Sequence, residues 1–203
     1  MKQEEKNRLM RAKIIDAALH EFGEKSYAEA SVNTICDEYH ISKGILYHYY
    51  ENKDDLYLVC VKACFEAIME YLSQNLPNVG QGADRDLSAY FEVRQRFLAE
   101  NPCYQGLFYQ VSIAPPYHLK EAIAKARADF DRFNTNAFSA ILEHTKLRPG
   151  ITLQEVAEIH MSLQNALLGS EQMREATSHG LDAREALSRR WMDVLLHGVI
   201  AQS

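Results

Sequence analysis

Long apolar runs are missing from this chain of 203 residues: no stretch reaches eighteen apolar residues. That leaves no candidate for a membrane-crossing helix. The first residues, MKQEEKNRLMRAK, are charged and lack the apolar core of a secretion signal, so a cytoplasmic protein is expected. Cysteine is sparse. Cys36, Cys60, Cys64 and Cys103 show no C-x-x-C spacing. Cys60 and Cys64 stand four apart, on one face of a helix, where two thiols and a histidine could hold a metal or sense oxidants. The reading adopted is the plainer one, small buried hydrophobes, and no metal or cofactor is expected. Enzyme signatures are missing too. There is no G-x-S-x-G, no H-E-x-x-H and no glycine-rich phosphate loop, and the eight histidines are scattered. An all-α enzyme is therefore a reading that no motif supports. An excess of positive charge is also lacking. The net charge is −6, and the first 53 residues hold eight basic side chains against nine acidic ones. A nucleic-acid binder made from this chain must rely on a few well-placed cations, which implies a shallow salt dependence.

What is present is a stretch from Ser31 to Lys53, SVNTICDEYHISKGILYHYYENK. Ser31 is an N-cap residue type, and Val32, Ile35 and Cys36 follow at helical spacing. The pattern breaks at Tyr39-His40-Ile41. Ser42 then opens a second short helix, Lys43 to Tyr50. Two helices of this length joined by so short a turn make a helix-turn-helix, whose second helix enters the DNA major groove. In that second helix Ile45, Leu46 and Tyr49 are expected to pack inward. Ser42, Lys43, Tyr47 and His48 are then left outward, with groups suited to phosphates and base edges. Gly44 would let backbone approach the DNA. A further helix starting near Asn52 or Lys53 would offer free N–H groups and the Lys53 charge to a phosphate.

The order Ile35, Ile41, Ser42, Lys43, Gly44, Leu46, Tyr47, His48, Tyr49, Tyr50, Lys53, Leu56 resembles the DNA-binding signature of the TetR/AcrR family of one-component repressors. The run Ile14 to Gly23 resembles that family's first helix. The resemblance covers residues 11 to 57. It departs from the family at the turn, where Tyr39 and His40 replace a small residue and Gly, at Cys36 in place of Ala, and at the acidic pair Asp37-Glu38. A positive φ at His40 would be tolerated better than at a β-branched residue. The resemblance implies an all-α fold in two parts. Residues 1–53 would be a three-helix DNA-binding domain, and residues 54–203 a helical effector-binding and dimerisation domain. It also implies that Ser31, Thr34 and Lys53 position the DNA backbone while Ser42, Lys43, Gly44, Tyr47 and His48 contact the DNA.

Around this stretch the periodicity predicts only helices. Residues 1–8 are expected to fray, and an amphipathic helix to run from Leu9 to Phe22, stopped by Gly23. Further helices are expected from Lys53 to Gln74, Asp84 to Glu100 and His118 to His144. Another runs from Thr152 to about Glu175, opened by a Thr152/Glu155 capping box, and a last one from Asp182 to about Ala201. Cys103 to Tyr117 gathers Tyr104, Phe108, Tyr109 and Tyr117 around a glycine and two prolines. Such residues line small-molecule pockets and equally fill cores. His160 is a weaker candidate of the same kind. The last two helices carry apolar stripes with Leu163, Leu167, Leu187, Trp191, Val194 and Leu195, with Gly169 and Gly198 permitting close approach. In the family the equivalent helices form a four-helix dimer interface, and a dimer reads two half-sites where one helix-turn-helix reads too little. The expected function is a ligand-responsive DNA-binding regulator, a repressor that leaves its two-half-site operator when a small molecule binds. The expected partners are therefore double-stranded DNA, an effector and a second copy of the chain, with no membrane. The alternative is a helical protein-interaction module with little DNA binding.

Overall fold

The computed structural model describes residues 3–143, 145–156, 158, 159, 162, 183, 186, 187, 190, 191, 193 and 194. The helices whose bounds are described are α1 (Gln3–Glu24), α2 (Val32–Glu38), α3 (Lys43–Tyr49), α4 (Lys53–Asn75), α5 (Ala83–Glu100), α6 (Pro102–Ile113), α7 (Lys120–Ala126) and α8 (Ala128–Leu142). A 3-10 turn, Tyr117–Leu119, precedes α7. The fold is all-α, as the periodicity predicts. Among the described residues no helix is long and apolar enough to cross a membrane.

The chain divides into two compact units. One comprises residues 1–67 and 98–128, the other residues 68–97 and 129–203. The units thus follow packing rather than a cut at residue 53. Helix α6, far along the chain, joins the N-terminal unit because it packs on α1.

That packing needs two glycines. A Cβ on Gly106 would lie 1.9 Å from the carbonyl oxygen of Gly23, and one on Gly23 would lie 2.5 Å from the carbonyl of Cys103. No side chain fits between backbones that close, so the two helices cross at a seam only glycine allows. Gln110 adds a hydrogen bond across it, donating to the Phe22 carbonyl at 3.1 Å. Gly23 is therefore not the expected stop. Helix α1 runs through it to Glu24, and it also starts at Gln3 rather than fraying to residue 8.

Beneath the seam lie Ile14, Ala18, Phe22, Leu56, Tyr57 and Cys64, all fully buried. Tyr57 meets Phe22 and Tyr27 edge-on, at 5.0 and 4.9 Å between ring centres. Burial pushes the Cys60 and Cys64 thiols far up, so neither is a ready thiolate. Cys64 donates to the Tyr104 carbonyl at 3.4 Å. Among the described residues no cluster of His, Cys, Asp or Glu could hold a metal ion.

In the second unit Tyr90 and Phe91 of α5 are buried, and the Tyr90 phenol donates to Asn134 of α8. Asp86, also buried, accepts from the Gly80 and Gln81 amides at 2.7 and 3.3 Å. Its carboxylate thereby ties down a loop whose Gly80 and Gly82 have φ of 118° and 109°, a conformation that favours glycine. The long helix expected from His118 to His144 is instead broken. Helix α7, in the first unit, ends at Ala126 with Arg127 as its cap residue, the Arg127 guanidinium lying 5.2 Å from the Phe65 ring, and α8 starts anew. The Thr152/Glu155 capping box forms as expected. Thr152 N and Oγ donate to the Glu155 carboxylate at 2.8 Å each, and Glu155 N donates back to Oγ at 3.2 Å.

Candidate nucleic-acid interface

Two caps and a turn set the geometry of the reader. The Ser31 hydroxyl accepts from Asn33 N at 3.2 Å and starts α2. Ser31 N in turn donates to the Glu21 carboxylate at 2.8 Å, a buried acid also paired with Lys25 at 2.8 Å. Helix α2 is thereby fixed to α1. Val32, Ile35 and Cys36 are buried as its spacing predicts, and Thr34 is half-buried. The turn closes when Ile41 N donates to the Cys36 carbonyl at 2.9 Å. This is the six-to-one bond of a helix C-terminus, with buried Ile41 as its apolar anchor. His40 supplies the left-handed residue that the bond requires, at φ 52°. The unusual histidine thus takes the place a glycine usually fills, at some conformational cost.

Ser42 caps α3, its hydroxyl accepting from Ile45 N at 3.2 Å. Leu46 is fully buried and anchors α3, while Tyr49 is half-buried and donates to Asn7 of α1 at 3.1 Å. The outer face consists of Ser42, Lys43, Gly44, Tyr47 and His48, all exposed. A Cβ on Gly44 would meet nothing within 4 Å, so backbone is bare there. Ile45 is the correction: expected inside, it is 40% exposed and joins the outer face. Leu46 fills the core, with Tyr49 beside it against α1. Sequence spacing could not separate two adjacent apolar residues on a helix of seven.

The start of α4 is built differently. Asn52 accepts from Asp55 N at 2.9 Å, and Asp55 accepts from Glu51 N at 3.1 Å. Asp54 and Asp55 occupy the first turn, where carboxylates complement the helix dipole. One amide expected to meet a phosphate, Asp55 N, is therefore already used, beside two negative charges. The Lys53 ammonium donates to the Tyr27 carbonyl and sits 4.4 Å from the centre of the Tyr27 ring. Burial lowers its pKa. The Tyr27 phenol donates to Asp54, and burial, then this bond, pushes it up to about 12. His118 completes the group, its Nε2 3.3 Å from Asp54. Lys6 and Arg8 lie within α1, and Arg8 pairs with Glu5 at 2.8 Å.

Tyr104, Phe108, Tyr109 and Tyr117, expected to bind a small molecule, lie in α6 and the 3-10 turn after it. Phe108 and Tyr109 are buried, Phe108 against Phe65 at 5.8 Å between ring centres, and Tyr104 is half-buried. Tyr117 is 92% exposed. Phe108 and Tyr109 thus help fill the first unit, and His160 lies outside the described residues. A cavity of about 240 Å³ does exist in the second unit. It lies between the end of α4, its following loop, α5 and α8, and is lined by Leu76, Val79, Tyr90, Phe133, Ala137 and Ile141 with few polar groups. Periodicity could not reveal it, because its lining comes from three separate helices. Of the expected dimer residues, Leu163, Leu167 and Leu195 lie outside the described residues. Leu187 and Trp191 are half-exposed and helical, and Val194 is 67% exposed.

Comparison with known proteins bears on this geometry. The model for bacterial regulatory proteins of the tetR family matches residues 14–60, the segment from α1 to mid-α4. Over 120 residues the chain is 28% identical to the biofilm operon icaADBC HTH-type negative transcriptional regulator IcaR of Staphylococcus epidermidis. That match covers 55% of this chain and 62% of the relative. IcaR of Staphylococcus aureus is 33% identical over 66 residues, covering 32% of this chain and 36% of the relative. The chain thus spans under two thirds of the curated relatives it matches. Among solved structures, the fold is similar to the transcriptional regulator FadR from Bacillus subtilis in complex with stearoyl-CoA. The TM-score there is 0.68, with 17% identity over 93% of this chain and 98% of that one. It is also similar to the regulatory protein TetR from Rhodobacter sphaeroides, with a TM-score of 0.66 and 18% identity over 95% of this chain and 100% of that one.

Proposed function

We propose that this chain, which belongs to the tetR family, is a ligand-responsive DNA-binding transcriptional regulator: a repressor that a small molecule releases from its operator. The observation that carries the reading is the outer face of α3. Its exposed groups stand on a helix held by a cap, a buried leucine and a fixed turn, the preorganisation a groove-reading helix needs. Lys43, Tyr47 and His48, with the bare backbone at Gly44, contact DNA. Ser42 takes part through its cap, and Ser31 and Thr34 set α2 against the phosphates. Lys53 acts from within, holding Tyr27 and the start of α4. Residues 1–53 act as the reader, and residues 54–203 carry the effector and dimer functions.

The working unit is a homodimer on two half-sites, paired through the last helices, in which Leu187, Trp191 and Val194 leave apolar surface uncovered. The effector is an apolar molecule held in the cavity lined by Leu76, Phe133 and Ile141, and acyl chains are the first class to screen. It acts by binding one conformation better than the other, and its effect is bounded by that difference in affinity. The chain is a regulator rather than an enzyme, and it works in the cytoplasm.

A footprint on DNA flanking the chain's own gene tests the proposal, with Tyr47→Ala/His48→Ala as control. Two protected, two-fold related halves that vanish with the control are expected. A folded protein that protects nothing there, and selects nothing from random-sequence DNA, would instead favour the helical interaction module.

A further inference from the structure

The outer face of α3 is poor in the side chains that read bases by paired hydrogen bonds. From Ser42 to Tyr50 there is no Arg, Asn or Gln, the usual bidentate readers of guanine and adenine. The Ser42 hydroxyl already accepts from Ile45 N. Lys43 is a point charge, which a phosphate satisfies as well as a base does. The face does offer hydrocarbon. Ile45 is 40% exposed, one helical turn from His48 and next to Gly44, where a Cβ would have nothing within 4 Å. A lone exposed isoleucine needs no explanation on an ordinary surface. Here it stands on the reading face, with no side chain at Gly44 to hold a base edge away.

In the major groove the apolar mark on a base edge is the C5-methyl group of thymine. We infer that Ile45 is a specificity-determining residue that reads one thymine methyl in each half-site. This rests on the proposed reading of α3 as the DNA-contacting helix. The contact removes one methyl and part of the isoleucine side chain from water. Deleting either partner should weaken binding about fourfold per half-site, the effect of burying one methyl-sized group.

The test uses the full chain and a duplex that it selects from random-sequence DNA. Each thymine is replaced in turn by deoxyuridine, which removes only the methyl. The wild type should lose about fourfold at one position of each half-site. Ile45→Ala should bind the thymine and uracil duplexes equally at that position, with the salt dependence and thermal midpoint of the wild type. Ile45→Val should keep part of the discrimination. If selective binding persists but no position's uracil penalty disappears in Ile45→Ala, the role of Ile45 is overturned and the reader stands. If the chain selects no sequence at all, the reader reading falls and takes this inference with it.

Discussion

Helices α3 and α4 both open on a lysine, and the two lysines are used in opposite ways. Lys43 is exposed on a helix whose first turn carries no acid. Lys53, ten positions on, is turned onto the Tyr27 ring and carbonyl at the head of a helix that begins Lys-Asp-Asp. Seen as sequence, both are cations at a helix N-terminus beside the reader. Their neighbours decide the outcome. Tyr27 arrives from 26 positions earlier to take the Lys53 ammonium, whereas nothing comparable is seen at Lys43. A cation near a DNA-binding helix is therefore available for phosphate only where the fold leaves it unclaimed.

The contrast between closed and open positions can be tested in several places, beginning with the most closed part of the same unit. Gly106→Val places a side chain where a Cβ alone would already lie 1.9 Å from the Gly23 carbonyl. It should cost about 3 kcal/mol or more, seen as a large fall in the urea midpoint. A small loss would mean the α1–α6 seam opens easily. Lys53→Met keeps the stem, deletes the ammonium and leaves the Tyr27 carbonyl without its donor. It should cost about 1–2 kcal/mol of stability and leave the salt slope of DNA binding unchanged. Lys43→Ala should do the reverse, lowering the slope of log affinity against log salt by about 1 for each phosphate no longer neutralised, with little change in thermal midpoint. Equal effects on the salt slope from both variants would dissolve the contrast.

The smallest effect concerns Tyr27. Its phenol titrates at about 12 in the fold against an ordinary 10.0. A raised phenol pKa favours the neutral, folded form, so its contribution is complete below pH 10 and is lost as pH climbs toward 12. Tyr27→Phe should remove one late tyrosinate step from the alkaline absorbance titration and soften the loss of stability over that window.

Much of the reader could be read directly from residues 31–56, because its logic is local. Caps at Ser31 and Ser42, apolar spacing at Ile35 and Leu46, and a left-handed residue in the turn are short-range signals, and the fold honours each. What escaped was set at long range. Gly23 looks like a helix stop until α6 arrives to use its bare backbone. Lys53 looks free until Tyr27 covers it. The aromatics of residues 104–117 suit a pocket as well as a core, and the spacing does not tell that Phe108 meets Phe65 while Tyr117 faces solvent. The cavity draws on α4, α5 and α8 at once, so no single stretch displays it. Ile45 failed for another reason: on a seven-residue helix two adjacent apolar residues leave the inward direction undetermined.

The central claim is that the outer face of α3 reads DNA. The most direct measurement is the affinity of the wild type and of Tyr47→Ala/His48→Ala for one selected duplex and for a scrambled duplex of equal length, at one salt concentration. The double variant should keep its thermal midpoint and its weak binding to scrambled DNA while losing the preference for the selected duplex. An undiminished preference in a folded double variant would contradict the claim.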